Sequence, residues 1–173
     1  MKNRETLRSI CFSAVLIAME IVLNRFLSIN TPGLKIGFSF VPIVVAAMLF
    51  GPVKAGVIYG MADLIGAILF PIGPYFPGFT VCAVLMGVVY GLFLYKKERI
   101  GFFRHILPPI LINHLILGLC INTLWVGILY DSKTYWGWFL YRLPEYAVLI
   151  PISAVLIPVL WRLSGVFGRI VRG

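Results

Sequence analysis

From Leu64 to Tyr95 the chain carries no charged side chain. Apolar stretches of this kind recur along its length, cut by proline and glycine into about six blocks. A bilayer's hydrocarbon core is about 30 Å thick, and a helix rising 1.5 Å per residue needs about 20 apolar residues to cross it. Blocks near that length leave little sequence for a water-soluble domain. The composition agrees: 61% of residues are hydrophobic and 12% charged, and the mean hydropathy is +1.00. Those values lie outside the range of soluble globular chains. The expected fold class is therefore an all-α integral membrane protein, a bundle of six transmembrane helices forming one domain over residues 1–173.

The breaks set the helix limits. Helices are predicted at about 9–27, 36–50, 53–70, 79–95, 106–130 and 141–163. Gly51-Pro52 separates the second from the third, and Pro71-Ile72-Gly73-Pro74 ends the third, since proline lacks a donor and clashes with the preceding turn. Pro144, Pro151 and Pro158 fall inside the sixth, where neighbouring helices can re-satisfy freed carbonyls and the helix is expected to bend.

Lysine and arginine near helix ends are retained on the cytoplasmic side. With both termini cytoplasmic, Arg25, Lys35, Lys133 and Arg142 fall outside and the other eleven of the 15 basic residues fall inside. The net charge of +9 then reflects topology and contact with anionic lipid in a multi-pass cell-membrane protein. It is not read as a nucleic-acid footprint, because no basic cluster is interleaved with aromatics on a soluble face. The basic N-terminus and its long apolar stretch are read as the first helix, not as a cleaved signal. Cys11, Cys82 and Cys120 lack Cys-x-x-Cys spacing and are expected as small packing residues, so no metal or other cofactor is implied.

Ionisable groups within membrane helices are costly and usually face a site. Here they are Glu20 and Arg25 in the first helix, Asp63 in the third, His114 with Asn113 and Asn122 in the fifth, and Arg142 and Glu145 opening the sixth. Asp63 lies about 10 Å below the outer end of its helix by helix rise. Most of the others are nearer the same outer surface, and only Asn113 and His114 sit near the midplane. His114 is read first as a hydrogen-bonded interior histidine.

Aromatic residues gather on the same side. Phe26 and Phe38 flank the first outer loop, and Tyr75, Phe76 and Phe79 follow the second. Trp125, Tyr130, Tyr135, Trp136, Trp138, Phe139 and Tyr141 crowd the third. They form either an interfacial belt or the stacking walls of a pocket for a planar ligand. The first outer loop, residues 28–37, carries Pro32, Gly33, Lys35 and Gly37 and is either a passive connector or a lid that moves on binding. In the first helix, Ala14 and Ala18 lie one turn apart, and small residues at this spacing let another helix approach closely.

Together these features resemble the substrate-binding S components of energy-coupling factor transporters, which capture vitamins for import. The resemblance is carried by six helices, the Ala14/Ala18 face, the long first outer loop and the prolyl-glycyl third connection. The run from Arg25 through Thr31-Pro32-Gly33-Leu34-Lys35-Ile36-Gly37-Phe38, followed by Pro42 and Gly51-Pro52, is similar to the folate-specific branch. The resemblance implies a non-enzymatic subunit that holds folate at the outer face. It also implies docking, through Ala14 and Ala18, on a membrane coupling protein driven by two cytoplasmic ATPases, and transport by toppling of the whole subunit. The chain has no Gly-x-x-x-x-Gly-Lys-Ser/Thr phosphate loop, so ATP hydrolysis would belong to a partner.

Folate's pterin presents adjacent N–H donors that a carboxylate can accept, and its glutamate tail is anionic. Asp63 or Glu145 is expected at the pterin and Arg25, Lys35 or Arg142 at the tail, with Asn122, Tyr75, Phe76, Trp125 and Tyr141 completing the site. The alternative for Arg142 and Glu145, three apart on one helix, is to pair with each other. An S component for riboflavin or thiamine shares the architecture. A membrane-embedded enzyme lacks any recognisable catalytic cluster here, and a small channel lacks polar groups through the inner half.

Overall fold

The computed structural model describes residues 2–31, 34–96, 101–130 and 134–172, with side chains placed within 6–29, 35–96, 101–130 and 134–165. Pro32 and Gly33 of the first loop, and Lys97, Arg99 and Lys133 of the charge pattern, lie outside the described residues. The chain is helical except for one hairpin: α1 Lys2–Arg25, β1 Ile29–Thr31, β2 Leu34–Ile36, α2 Phe40–Phe50, α3 Pro52–Leu69, α4 Pro77–Leu94, α5 Phe102–Tyr130 and α6 Tyr135–Arg172. Five of the helices are long and apolar enough to cross a membrane. The sixth, α2, has 11 residues, and 1.5 Å per residue gives it about 16 Å, half the hydrocarbon thickness.

What α2 lacks in length it makes up in burial. Ile43, Val44, Ala46 and Ala47 are wholly inaccessible, packed with Ile58, Leu94, Ile110 and Ile157 from four other helices. Elsewhere the outward faces are apolar, with Val15, Val22, Val57, Ile68, Leu92 and Val155 among the exposed residues. This inside-out distribution suits a lipid solvent.

The turn from α2 into α3 passes through Gly51 at φ 84°, a left-handed conformation natural only to glycine, with the Tyr95 ring against it. The α3–α4 pair packs backbone against backbone because glycines line it. A Cβ on Gly87 would come within 2.6 Å of the Ala55 carbonyl oxygen, and one on Gly91 would run into the Pro52 backbone. Where lipid removes the hydrophobic drive, such backbone approach is how helices associate. Gly87→Leu is expected to cost about 1–3 kcal/mol by overpacking, seen as an unfolding temperature several degrees lower in detergent.

Two elements differ from the sequence expectation. The last helix begins at Tyr135, so the aromatic residues from Tyr135 to Tyr141, expected in the third outer loop, are its first turns. No proline interrupts them, and the Trp138 N–H already bonds the Thr134 carbonyl. The fifth helix is not uniformly α. It is π-helical over Phe102–Ile106 and Ile112–Ile121, with a single α turn carrying Pro108 and Pro109 between. Two adjacent prolines remove two N–H donors. Wider i→i+5 bonding takes over on either side, as from Leu107 to Phe102 and from Asn122 to Leu117. Such π segments recur at functional sites because they re-aim side chains.

Candidate functional site

The helices enclose a cavity of about 460 Å³, within the usual range for small-molecule sites. Its upper wall is formed by Ile72, Gly73, Pro74 and Tyr75 from the α3–α4 connection and by Lys35 and Gly37 from the hairpin segment. Seven of the expected site residues line it: Arg25, Lys35, Asp63, Tyr75, Asn122, Arg142 and Glu145. They come from six different parts of the chain and meet in one space.

Three expected side chains stand apart from it. Trp125 donates its indole N–H to Cys82 Sγ at 3.4 Å and lies against Phe76, with ring centroids 5.1 Å apart and planes at 34°. The missing side chain of Gly78 makes room for this pair. Tyr141 meets Trp138 edge-on at 5.8 Å and is exposed. These rings therefore pack beside the cavity and on the lipid side of it.

The cavity also runs deeper than the sequence suggests. Phe40, Tyr59, Ala83, Met86, Tyr90, Asn113 and His114 line its inner part. His114, read as an interior histidine, is buried and bonded to Ser153 Oγ at 3.0 Å while still bordering the space. The wide turn of the π segment lets the neighbours Asn113 and His114 both face inward.

The charged groups differ in how far they are already engaged. Arg142, almost fully buried, donates from Nη2 to Tyr146 Oη at 2.7 Å, from Nη1 to Thr123 Oγ1 at 3.2 Å and from Nε to Glu145 Oε2 at 3.5 Å. The pairing of Arg142 with Glu145 is thus realised. Asp63 accepts from Thr80 Oγ1 at 2.7 Å, and Thr80 is bonded in turn to Tyr75 Oη at 3.0 Å. Glu20 is wholly buried behind the wall and accepts from Asn24 Nδ2 at 2.6 Å, while Asn24 itself reaches the cavity. Arg25 is less committed. Its guanidinium lies over Gly66 of α3, 3.1 Å from where a Cβ would be, and its buried Nε has no partner among the described residues.

Lys35, on the hairpin and outside the spans, is half-buried. Burial first and the nearby Arg25 second, against the pull of Glu20, Asp63 and Glu145, bring its ammonium down to about 8. An anion bound there would favour the charged form, which is present below that value and lost above it. Affinity for p-aminobenzoylglutamate, an anion with no pterin proton to titrate, is therefore expected to fall about five- to tenfold from pH 7 to pH 9. Lys35→Gln should bind more weakly and without that slope.

Sequence reasoning missed Asn24, Tyr59, Thr80, Tyr90 and Tyr146. Asn24 and Tyr59 were within reach, each four residues along its helix from Glu20 or Asp63 and hence on the same face. The other three depend on how helices pack, which spacing along the chain does not reveal. Among the described residues no group of three His, Cys, Asp or Glu is placed to hold a metal ion.

On α1, the residues facing inward are Leu16, Glu20, Ile21 and Asn24, and Ala14 and Ala18 are exposed. The small-residue face is not consumed by packing within the chain.

Residues 8–161 match the family described as ECF transporter, substrate-specific component. Two proteins named Folate transporter FolT are similar to the chain. The one from Clostridium novyi is 39% identical over 152 residues, covering 88% of this chain and 87% of the relative. The one from Leuconostoc mesenteroides subsp. mesenteroides is 30% identical over 133 residues, covering 77% and 71%. Among solved structures, a crystal structure of FolT bound with folic acid superposes with a TM-score of 0.82 at 35% identity, covering 90% of this chain and 92% of that one.

Proposed function

Since this chain belongs to the substrate-specific components of ECF transporters, we propose that it is the folate-binding membrane subunit of such a transporter. It captures the vitamin outside and delivers it inward with an ATP-driven module. The observation that carries this reading is one cavity of about 460 Å³ in which Arg25, Lys35 and Asp63 converge from α1, the hairpin and α3. The likeness to proteins named for folate transport and to a structure holding folic acid supports it.

Six passes place both termini on the cytoplasmic side, consistent with the basic bias of the sequence. The short α2 completes its pass with the segment descending from the hairpin. The cavity's cations suit the two carboxylates of a glutamate tail, and Arg25 and Lys35 are the two with donors to spare. Asp63 accepts N–H donors of the pterin beside Tyr75 and Asn122, while the neutral inner wall at Tyr59, Tyr90 and Asn113 surrounds the heterocycle. The subunit binds and performs no chemistry on its ligand. Its Ala14/Ala18 face meets a membrane coupling protein carrying two cytoplasmic ATPases, and the subunit topples to expose the site inward.

A panel of vitamins added to the purified protein tests the substrate. Folate is expected to raise the unfolding temperature by several degrees at micromolar concentration, in line with mass-action stabilisation by a tight ligand, and riboflavin and thiamine to leave it unchanged. A shift with either of those and none with folate would move the chain to another branch of the family.

A further inference from the structure

We propose that Glu145, held in place by Arg142, latches the β1–β2 hairpin over the cavity and is a positioning residue, not a contact of the vitamin. The hairpin is a small element with little to hold it. A lone two-stranded ribbon is at best marginally stable in water, and among the described residues its strands approach no element other than each other and α6. Its attachment to the bundle therefore runs through the α6 surface where Glu145 sits.

The register shows how. Thr31 pairs with Leu34 and Ile29 with Ile36, with Asn30 opposite Lys35 between them. In an antiparallel ladder, hydrogen-bonded pairs alternate with pairs whose N–H and C=O groups point outward. Thr31 and Leu34, only three residues apart, can form a ladder pair only by bonding to each other, so Thr31–Leu34 and Ile29–Ile36 are bonded and Lys35 turns its backbone N–H away from β1. That outward N–H donates to the Glu145 carboxylate.

The carboxylate is itself fixed. Glu145 is buried and its Oε2 faces Arg142 Nε at 3.5 Å. Arg142 is tied to Thr123 on α5 and Tyr146 on α6, with its guanidinium 5.5 Å from the centre of the Tyr146 ring. Both groups that could have met the ligand are spent on one another and on the hairpin. The arrangement runs from α5 through Arg142 and Glu145 to the strand that carries Lys35 into the cavity. Holding the hairpin down also holds the Lys35 side chain in place.

A nitroxide on Ile29→Cys, an exposed hairpin position, in a protein with Cys11 and Cys120 replaced by alanine, tests the latch without any ligand. Glu145→Ala is expected to convert an immobile spectrum into one with a large mobile component. Glu145→Gln, which keeps an acceptor oxygen, should retain most of the immobile signal. The second arm rests on the folate reading: Glu145→Ala should release bound folate about ten- to hundredfold faster, the range of a lost charged hydrogen bond, with association within about twofold of the parent. An unchanged spectrum in Glu145→Ala would overturn the latch. So would slower association with an immobile hairpin, the pattern of a direct ligand contact. Should Glu145→Ala fail to fold, Glu145→Asp, whose shorter side chain withdraws the acceptor, gives the same two readouts. A parent protein that binds no folate would overturn the vitamin reading and leave the spectral arm to decide the latch alone.

Discussion

Arg25→Ala is expected to weaken folate binding about a hundredfold while changing the affinity for a bare pterin by less than about twofold. The asymmetry follows from where the guanidinium lies. Arg25 ends α1, and its guanidinium rests over Gly66, where α3 presents no side chain to push it away. Unlike Arg142, whose three nitrogens are bound to Glu145, Thr123 and Tyr146, Arg25 has a buried Nε with no partner among the described residues. A planar fork of donors at a site wall is suited to a carboxylate taken two bonds at a time. Hydrogen bonds to charged groups contribute about 1.5–3 kcal/mol each, so losing the pair amounts to about a hundredfold at the lower end of that range. Arg25→Lys, a point charge without the fork, should recover only part. Equal losses for folate and for a pterin without its tail would place Arg25 elsewhere in the site.

The second large effect concerns transport and not binding. Replacing Ala14 and Ala18 together by leucine is expected to abolish folate uptake by cells, to below about a tenth of the parent rate, with folate affinity of the purified subunit unchanged. Both alanines are exposed, while Leu16, Glu20, Ile21 and Asn24 of the same helix are buried. Bulk added there meets lipid in the isolated subunit and costs it nothing. A partner helix that needs close backbone approach would be held off, since small residues set the interhelical distance in membranes. Loss of binding along with uptake would mean that the added bulk disturbs the inner face of α1 and thereby the cavity.

Much of this was legible before any coordinates. Proline and glycine punctuation located the helices, because in lipid every backbone group must be bonded internally and breaks are confined to their ends. The cost of charge in a membrane singled out Glu20, Arg25, Asp63, Arg142 and Glu145, and all but Glu20, which is buried behind the wall, border one cavity. The hairpin was not foreseen, although Pro32-Gly33 between Ile29 and Ile36 is a turn signal. Strands of three residues are too short for alternation to register.

Aromatic content proved a poorer guide than charge. Trp125 and Phe76 fill a gap over Gly78 as readily as they would stack on a ligand. Nothing in their spacing separates the two uses. The depth of the cavity was hidden for another reason. It depends on the π segment around Asn113 and His114, and an ordinary 100° helical wheel misplaces residues in a wider turn.

The central claim is that a cavity built from one chain captures the vitamin without any energy source. Isothermal titration of the purified protein with folic acid, in the absence of nucleotide and of any partner, addresses it most directly. One folate bound per chain with submicromolar affinity is the expected result. An absence of heat with folic acid, under conditions where the protein is folded, would contradict the account.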